Sequence, residues 1–206
     1  MGKNTDGWSL MLDDSLLEGD KDSITSWVAR KLLQAFGWTT VTHLPPGHKF
    51  VIILAPHTSY WDYPLILLYS LSARLHCRWI GHNALFIWPL GYISRALGGF
   101  KLDRRHKGGT VKRLIRAFAE HDQLVLGLAP EATKAFVPRW RTGFYHIALG
   151  AQVPLVLAFV DYQNKSLGCS RYFMPSGNTA QDEHTIRFFY RHLKGKNPQM
   201  AGPVKL

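Results

Sequence analysis

In the run Pro56-His57-Thr58-Ser59-Tyr60-Trp61-Asp62, a histidine and a carboxylate stand five residues apart. Histidine is the side chain suited to accept a proton near neutral pH, and a carboxylate beside it orients the ring and stabilises the imidazolium that forms. In one continuous helix a five-residue offset turns two side chains roughly 140° apart, so the pair meets only if His57 lies in a loop ahead of the helix. With Ser59 as N-cap and Tyr60, Trp61 and Asp62 as the first helical positions, the loop folds His57 back toward Asp62. The helix start then offers backbone N–H groups to a developing oxyanion, and positioned base catalysis contributes about 10²–10⁴ in rate. The same residues satisfy a second pattern. Ser59-x-x-Asp62 ahead of an apolar run is a capping box, in which Asp62 serves only the helix start. The run alone leaves both readings open.

Three further segments carry chemistry. Gly98-Gly99-Phe100-Lys101-Leu102-Asp103-Arg104 runs from two glycines to a charged cluster, where Arg104 and Arg105 can grip a phosphate with forked hydrogen bonds. Leu128-Ala129-Pro130-Glu131-Ala132-Thr133-Lys134 ends an apolar stretch with a carboxylate and a cation. Trp140-Arg141-Thr142-Gly143-Phe144-Tyr145 opens a helix with a basic residue, ahead of the strand Val153-Pro154-Leu155-Val156-Leu157.

The elements that must position these residues follow from the hydrophobic pattern. Phe50 to Ala55, bounded by Pro45-Pro46-Gly47 and Pro56, reads as a buried strand, which puts His57 in the loop between a strand and the helix Trp61 to Leu75. Loops of that kind are where α/β sheets bind ligands. Short strands are expected at Arg78 to Ile80, Gly99 to Leu102, Leu124 to Leu128 and Pro154 to Val160. Helices are expected at Thr25 to Trp38, Lys107 to His121, Trp140 to Ala151 and Asp182 to Leu193. Strands and helices alternate across connections too long for hairpins. The fold class is α/β: a single domain with a mixed, largely parallel sheet flanked by helices. In the first helix Trp27, Val28, Leu32, Leu33 and Phe36 recur at helical spacing beside Arg30 and Lys31, which suits either a cover for the core or an anchor on an anionic membrane surface. Residues 1–24 read as a flexible leader and 195–206, with Gly, Pro, Asn and Lys, as a loose tail.

Composition narrows the partners. Across 206 residues, 46% are hydrophobic, enough for one substantial core. Lys and Arg number 25 against 14 Asp and Glu, a formal net charge of +11, so the natural partners are anionic. Cys77 and Cys169 have no metal-ligand spacing, and no stretch reaches the roughly 18 apolar residues of a membrane span, so a membrane encounter is peripheral. The N-terminus lacks the basic and apolar regions of a secretory signal, and a reducing compartment is the default.

The four segments together resemble the glycerolipid acyltransferases typified by 1-acylglycerol-3-phosphate acyltransferase. That family's His-x-x-x-x-Asp block is similar to His57 through Asp62, and its Gly-Gly-Ile-Pro-Val-Asp-Arg block to Gly98 through Arg104. Its Pro-Glu-Gly-Thr-Arg-Ser block looks like Pro130 through Ala135, and its Val-Pro-Ile-Val-Pro strand like Val153 through Leu157. The blocks keep the family's order within residues 50–160, inside a domain placed at 25–194. The resemblance implies a glycerol-3-phosphate acyltransferase-like fold. It also implies transfer of a fatty acyl group from acyl-CoA or acyl carrier protein to the hydroxyl of a lysophospholipid acceptor, with no metal or resident cofactor. His57 and Asp62 would be catalytic, with His57 as the base, and Arg104, Glu131, Thr133, Lys134 and Arg141 would bind substrate. The expected setting is cytoplasmic, on the inner face of a membrane. Three departures bear on which headgroup fits: Ala132 for a glycine, Lys134 for an arginine, and His82 where many small members have lysine.

Other classes compete. A non-catalytic lipid- or membrane-surface module of the same fold would keep the basic face but has no need of His57 and Asp62. A thioesterase would admit water to the same site. Nucleic-acid binding suits the charge, but no helix-turn-helix, zinc spacing or RNP-like strand accompanies it. A serine hydrolase would need a Gly-x-Ser-x-Gly elbow, which is missing from the sequence.

Overall fold

The computed structural model describes residues 24–81, 83–88, 90–101 and 109–206. The expected leader falls outside these residues except for Ile24, as do His82, Arg104 and Arg105. Seven strands form one sheet: β1 (Thr39–Thr42), β2 (Lys49–Leu54), β3 (Arg78–Gly81), β4 (Gly99–Lys101), β5 (Leu124–Leu128), β6 (Leu155–Asp161) and β7 (Ser166–Phe173). Their spatial order is β1-β7-β6-β2-β5-β3-β4. The β6–β7 pairing is antiparallel and every other neighbouring pair is parallel. Among the described residues six α-helices accompany the sheet: α1 (Ile24–Ala35), α2 (Asp62–Ser72), α3 (Leu90–Ala96), α4 (Gly109–Glu120), α5 (Gly143–Ala151) and α6 (Thr179–Tyr190). The α/β class and the largely parallel sheet expected from the sequence are what the chain adopts.

Alternation along the central strands builds a core on each face. Val51 and Ile53 of β2 join Leu155 and Leu157 of β6 and meet Leu114 and Phe118 of α4, Phe144 and Ile147 of α5 and Ile186 of α6. On the opposite face Phe50 and Ile52 join Val156 and Ala158 and meet Leu33 of α1 and Tyr69 of α2. Because β2 and β6 are buried on both sides, their sequences are continuous apolar runs, and that is why periodicity located them.

Two strands escaped the sequence reading. β1 is four residues long and exposed throughout, and β7 mixes Gly168, Cys169, Ser170 and Arg171 with apolar positions. Neither carries an apolar pattern of its own; pairing with a neighbour makes each a strand. Gly168 is required there, since a Cβ would come within 1.9 Å of the Val41 carbonyl oxygen.

The helix α1 differs from the sequence reading in which face it buries. Ser26, Ala29 and Leu33 pack inward, while Trp27 and Phe36 are 61% and 65% exposed. Small residues let α1 lie close on α2, and the large apolar residues face outward, so they do not cover the core. None of the described helices is long and apolar enough to cross a membrane.

The tail is a second correction. Residues 195–206, expected to be loose, run across the domain: Trp140 N donates to Lys205 O at 2.9 Å, Leu206 N donates to Glu183, and the Leu206 side chain is buried in the core. Its glycine and proline content signalled an absence of helix or strand, which differs from an absence of packing.

Candidate active site

The parallel arrangement of β5, β2 and β6 brings their carboxyl ends side by side. The loop after β2 carries His57, the loop after β5 carries Glu131, and Tyr162 directly follows β6. Carboxyl ends of adjacent parallel strands are where α/β sheets hold ligands, and here they deliver three polar side chains to one place, beside Asp62 at the start of α2.

The helix α2 starts at Asp62, two residues later than the expected start at Tyr60, with Trp61 as its N-cap. Pro64 sits in the first turn, where a missing N–H costs nothing. Asp62 is fully buried. Its Oδ2 accepts the amides of Thr58 and Ser59 at 3.1 and 3.0 Å, and His57 Nδ1 lies 3.0 Å from the same oxygen. Its Oδ1 accepts the Tyr162 hydroxyl at 2.8 Å. One carboxylate therefore ties down the start of the helix and stands beside the histidine. The His57 Nδ1 contact is close but not aligned as a straight hydrogen bond, and among the described residues no other group satisfies that buried nitrogen. Such bonds at reaction centres are commonly misaligned without substrate and tighten with it.

Glu131 is 4% exposed, and its Oε2 accepts the His57 amide at 2.7 Å. Burial raises its carboxyl above the usual range, against the lowering effects of the His57 amide and ring; the nearby Asp62 adds to the rise. The sequence reading gave Glu131 to the substrate. In the fold its carboxylate holds the backbone of the histidine loop from below.

Of the other expected binding residues, Lys134 lies against the histidine run. Lys134 Nζ lies 3.8 Å from the Tyr60 ring centroid, a cation–π contact with the residue midway through the histidine run. Thr133 is exposed and its Oγ1 accepts the Ala135 amide, so it shapes its own turn. Arg141 donates its amide to Pro130 O, which fixes the strand-end loop, and its side chain is exposed. Arg104 lies outside the described residues. Ala132, the departure from glycine, has φ +55°, the left-handed region that favours glycine.

The expected oxyanion donors are largely committed elsewhere. The amides of His57, Thr58, Ser59 and Trp61 go to Glu131, Asp62, Asp62 and the Ser59 hydroxyl respectively. They set the loop's shape.

Sequence reasoning missed the residues that brace this loop from the far end of the chain. Asn197 donates its side-chain amide to Thr58 O at 2.9 Å and its backbone amide to Thr58 Oγ1 at 3.2 Å. Lys196 Nζ lies 4.9 Å from the Trp61 ring centroid. These residues belong to no motif; the one available signal was for Tyr162, which follows a buried strand as His57 does. Cys77 and Cys169 are both free thiols, and burial pushes each up to about 12, so neither supplies a thiolate nucleophile near neutral pH.

Among known proteins, the family model described as acyltransferase matches residues 37–159. The fold is similar to the crystal structure of the 1-acyl-sn-glycerophosphate (LPA) acyltransferase PlsC from Thermotoga maritima. That likeness has a TM-score of 0.54 and 14% identity, covering 82% of this chain and 75% of that one. No curated protein sequence matches.

Proposed function

The chain belongs to the acyltransferase family, and from that premise we propose that it moves a fatty acyl group from the thioester of acyl-CoA or acyl carrier protein to the hydroxyl of a lysophospholipid. One observation carries the reading: His57 Nδ1 stands 3.0 Å from the buried Asp62 carboxylate, so the ring's other nitrogen is left to exchange a proton with substrate. His57 Nε2 takes the acceptor hydroxyl proton as that oxygen attacks the thioester carbonyl. The tetrahedral adduct collapses to an ester as the C–S bond breaks, and the imidazolium returns the proton to the departing sulfur. Asp62 stabilises the imidazolium between these steps. The scheme uses no resident metal or cofactor.

Recognition of an anionic acceptor and donor is supported by the net charge of +11 and by Lys134 at the rim of the histidine loop. Arg104 is the residue proposed to grip the acceptor's phosphate, and Thr133, Lys134 and Arg141 are proposed to bind substrate as well. The outward apolar face of α1, with Trp27 and Phe36 exposed and Arg30 and Lys31 beside them, supports work on the inner face of an anionic membrane. Co-sedimentation with anionic liposomes that persists in a Trp27→Ser, Phe36→Ser double variant would remove that assignment.

The experiment for the reaction is a screen of lysophospholipid and neutral hydroxyl acceptors with a long-chain acyl-CoA, with thiol release followed and products weighed. The expected result is acceptor-dependent thiol release with an acylated lysophospholipid as product. Equal thiol release without acceptor identifies a thioesterase and contradicts the proposal.

A further inference from the structure

The carboxylate that stands beside His57 is held at both oxygens, and the group on the second one comes from outside the family-matched residues 37–159. Asp62 Oδ2 is occupied by the Thr58 and Ser59 amides and faces His57, whereas Oδ1 has the Tyr162 hydroxyl at 2.8 Å. A carboxylate bonded at one oxygen can still swing the plane of its two oxygens. A donor on the other oxygen fixes that plane, and with it the direction in which Oδ2 meets the imidazole.

Tyr162 is itself built into place. Its amide donates to Lys194 O at 2.9 Å, and its ring meets the buried Trp38 edge-on at 5.1 Å between centroids. The preceding Asp161 is buried and accepts the amides of Gln163 and Lys194. Burial, together with the hydrogen bond and charge of Asp62, pushes the Tyr162 phenol well above its usual range, so it remains an O–H donor at any working pH.

We infer that Tyr162 is a positioning residue for the base, fixing the plane of the Asp62 carboxylate and drawing off part of its negative charge. The role in turnover rests on the acyl-transfer reading above. The effect on the histidine does not.

The sign of that effect follows from the charges present. The imidazolium is favoured by negative charge on Asp62, with Glu131 the other acidic group bonded to the loop, whereas the cations Lys134 and Lys196, over Tyr60 and Trp61, oppose it. Hydrogen bonding from Tyr162 disperses the Asp62 charge and weakens its hold on the imidazolium. Removing the hydroxyl concentrates that charge.

The test uses Tyr162→Phe, which keeps the ring against Trp38 and loses only the O–H. In substrate-free protein with labelled histidine, the NMR titration of the His57 ring is expected to move to higher pH. In turnover, kcat is expected to fall roughly tenfold while KM for donor and acceptor stays within about twofold. Site-specific 3-fluorotyrosine at position 162, a stronger donor, is expected to move the His57 titration the opposite way, and it decides the matter if the Phe variant does not fold. A His57 titration unmoved by both replacements overturns the inference, even if kcat falls, since a merely structural strut between α2 and the end of β6 would behave so. If wild-type protein transfers no acyl group while the titration moves as stated, the reaction reading fails and the Tyr162 assignment stands.

Discussion

His57 Nδ1 stands 3.0 Å from Asp62 Oδ2, and that same oxygen accepts the amides of Thr58 and Ser59. One carboxylate thus fixes the loop that carries the histidine, starts the helix behind it and supplies the charge beside the ring.

Separating those duties by substitution is feasible because they depend on different properties of the side chain. Asp62→Asn keeps an oxygen for the loop amides but loses the charge, and it should lower kcat by about 10²–10⁴. Asp62→Ala also abandons two loop amides and the Tyr162 hydroxyl in a buried site, and it should cost about 3–5 kcal/mol of stability. Chemical denaturation alongside steady-state rates checks both; an Asn variant with wild-type kcat contradicts the charge role.

Glu131 offers a pH test. Its folded carboxyl is raised by burial, so between the unfolded and the folded value the native state binds the larger number of protons. Its contribution to stability is therefore fully present below the unfolded value and is lost as pH rises through the raised one. Glu131→Gln keeps an acceptor for the His57 amide without the charge. The melting temperature of the Gln variant, relative to wild type, should climb with pH across that window and then level off. Thermal unfolding from about pH 4 to about pH 8 spans the ordinary and raised carboxyl ranges. A difference independent of pH contradicts the account, as does a Gln variant that loses activity as severely as Glu131→Ala.

How much of this site was legible in the sequence depended on where its parts lie in the chain. The strands β2, β5 and β6 are continuous apolar runs because both their faces are covered, so they could be placed within a residue or two. The pairing of His57 with Asp62 was readable from the loop ahead of a helix. Its ambiguity with a capping box arose because Asp62 both accepts the Ser59 amide at the helix start and stands beside His57. The contact of Glu131 with the His57 amide was not legible, since nothing local tells that β5 lies beside β2 and brings that carboxylate to the loop. Lys196 and Asn197 were invisible for the same reason, and Tyr162 carried only its place after a buried strand: their contacts with Trp61, Thr58 and Asp62 span 100 residues or more in sequence. Which face of α1 packs inward was not legible from its large apolar residues, because the small Ser26 and Ala29 are buried with Leu33 while Trp27 and Phe36 face outward.

Ala132 occupies the left-handed region at φ +55°, where an L side chain is disfavoured by roughly 1–2 kcal/mol. Part of that is offset by the greater chain entropy glycine loses on folding. Ala132→Gly is therefore expected to stabilise the protein by about 0.5–1 kcal/mol, a rise in melting temperature of roughly 1–4 °C. Calorimetry showing a lower melting temperature contradicts it.

Gly195 presses on the histidine loop from the tail. A Cβ there would lie 2.4 Å from Thr58 Oγ1 and 3.3 Å from Pro56 Cγ, so an alanine must displace the loop. Gly195→Ala should destabilise by about 1–3 kcal/mol, as overpacking does, and lower kcat well beyond what a surface substitution produces. Unchanged stability and turnover would show that the tail does not brace the loop.

The most direct measurement of the central claim is the rate of acceptor-dependent thiol release from acyl-CoA by a folded His57→Ala variant. Removal of the base is predicted to lower that rate by about 10²–10⁴ while the circular dichroism and melting profile stay close to wild type. Wild-type turnover by the folded variant would contradict the assignment of His57 as the base.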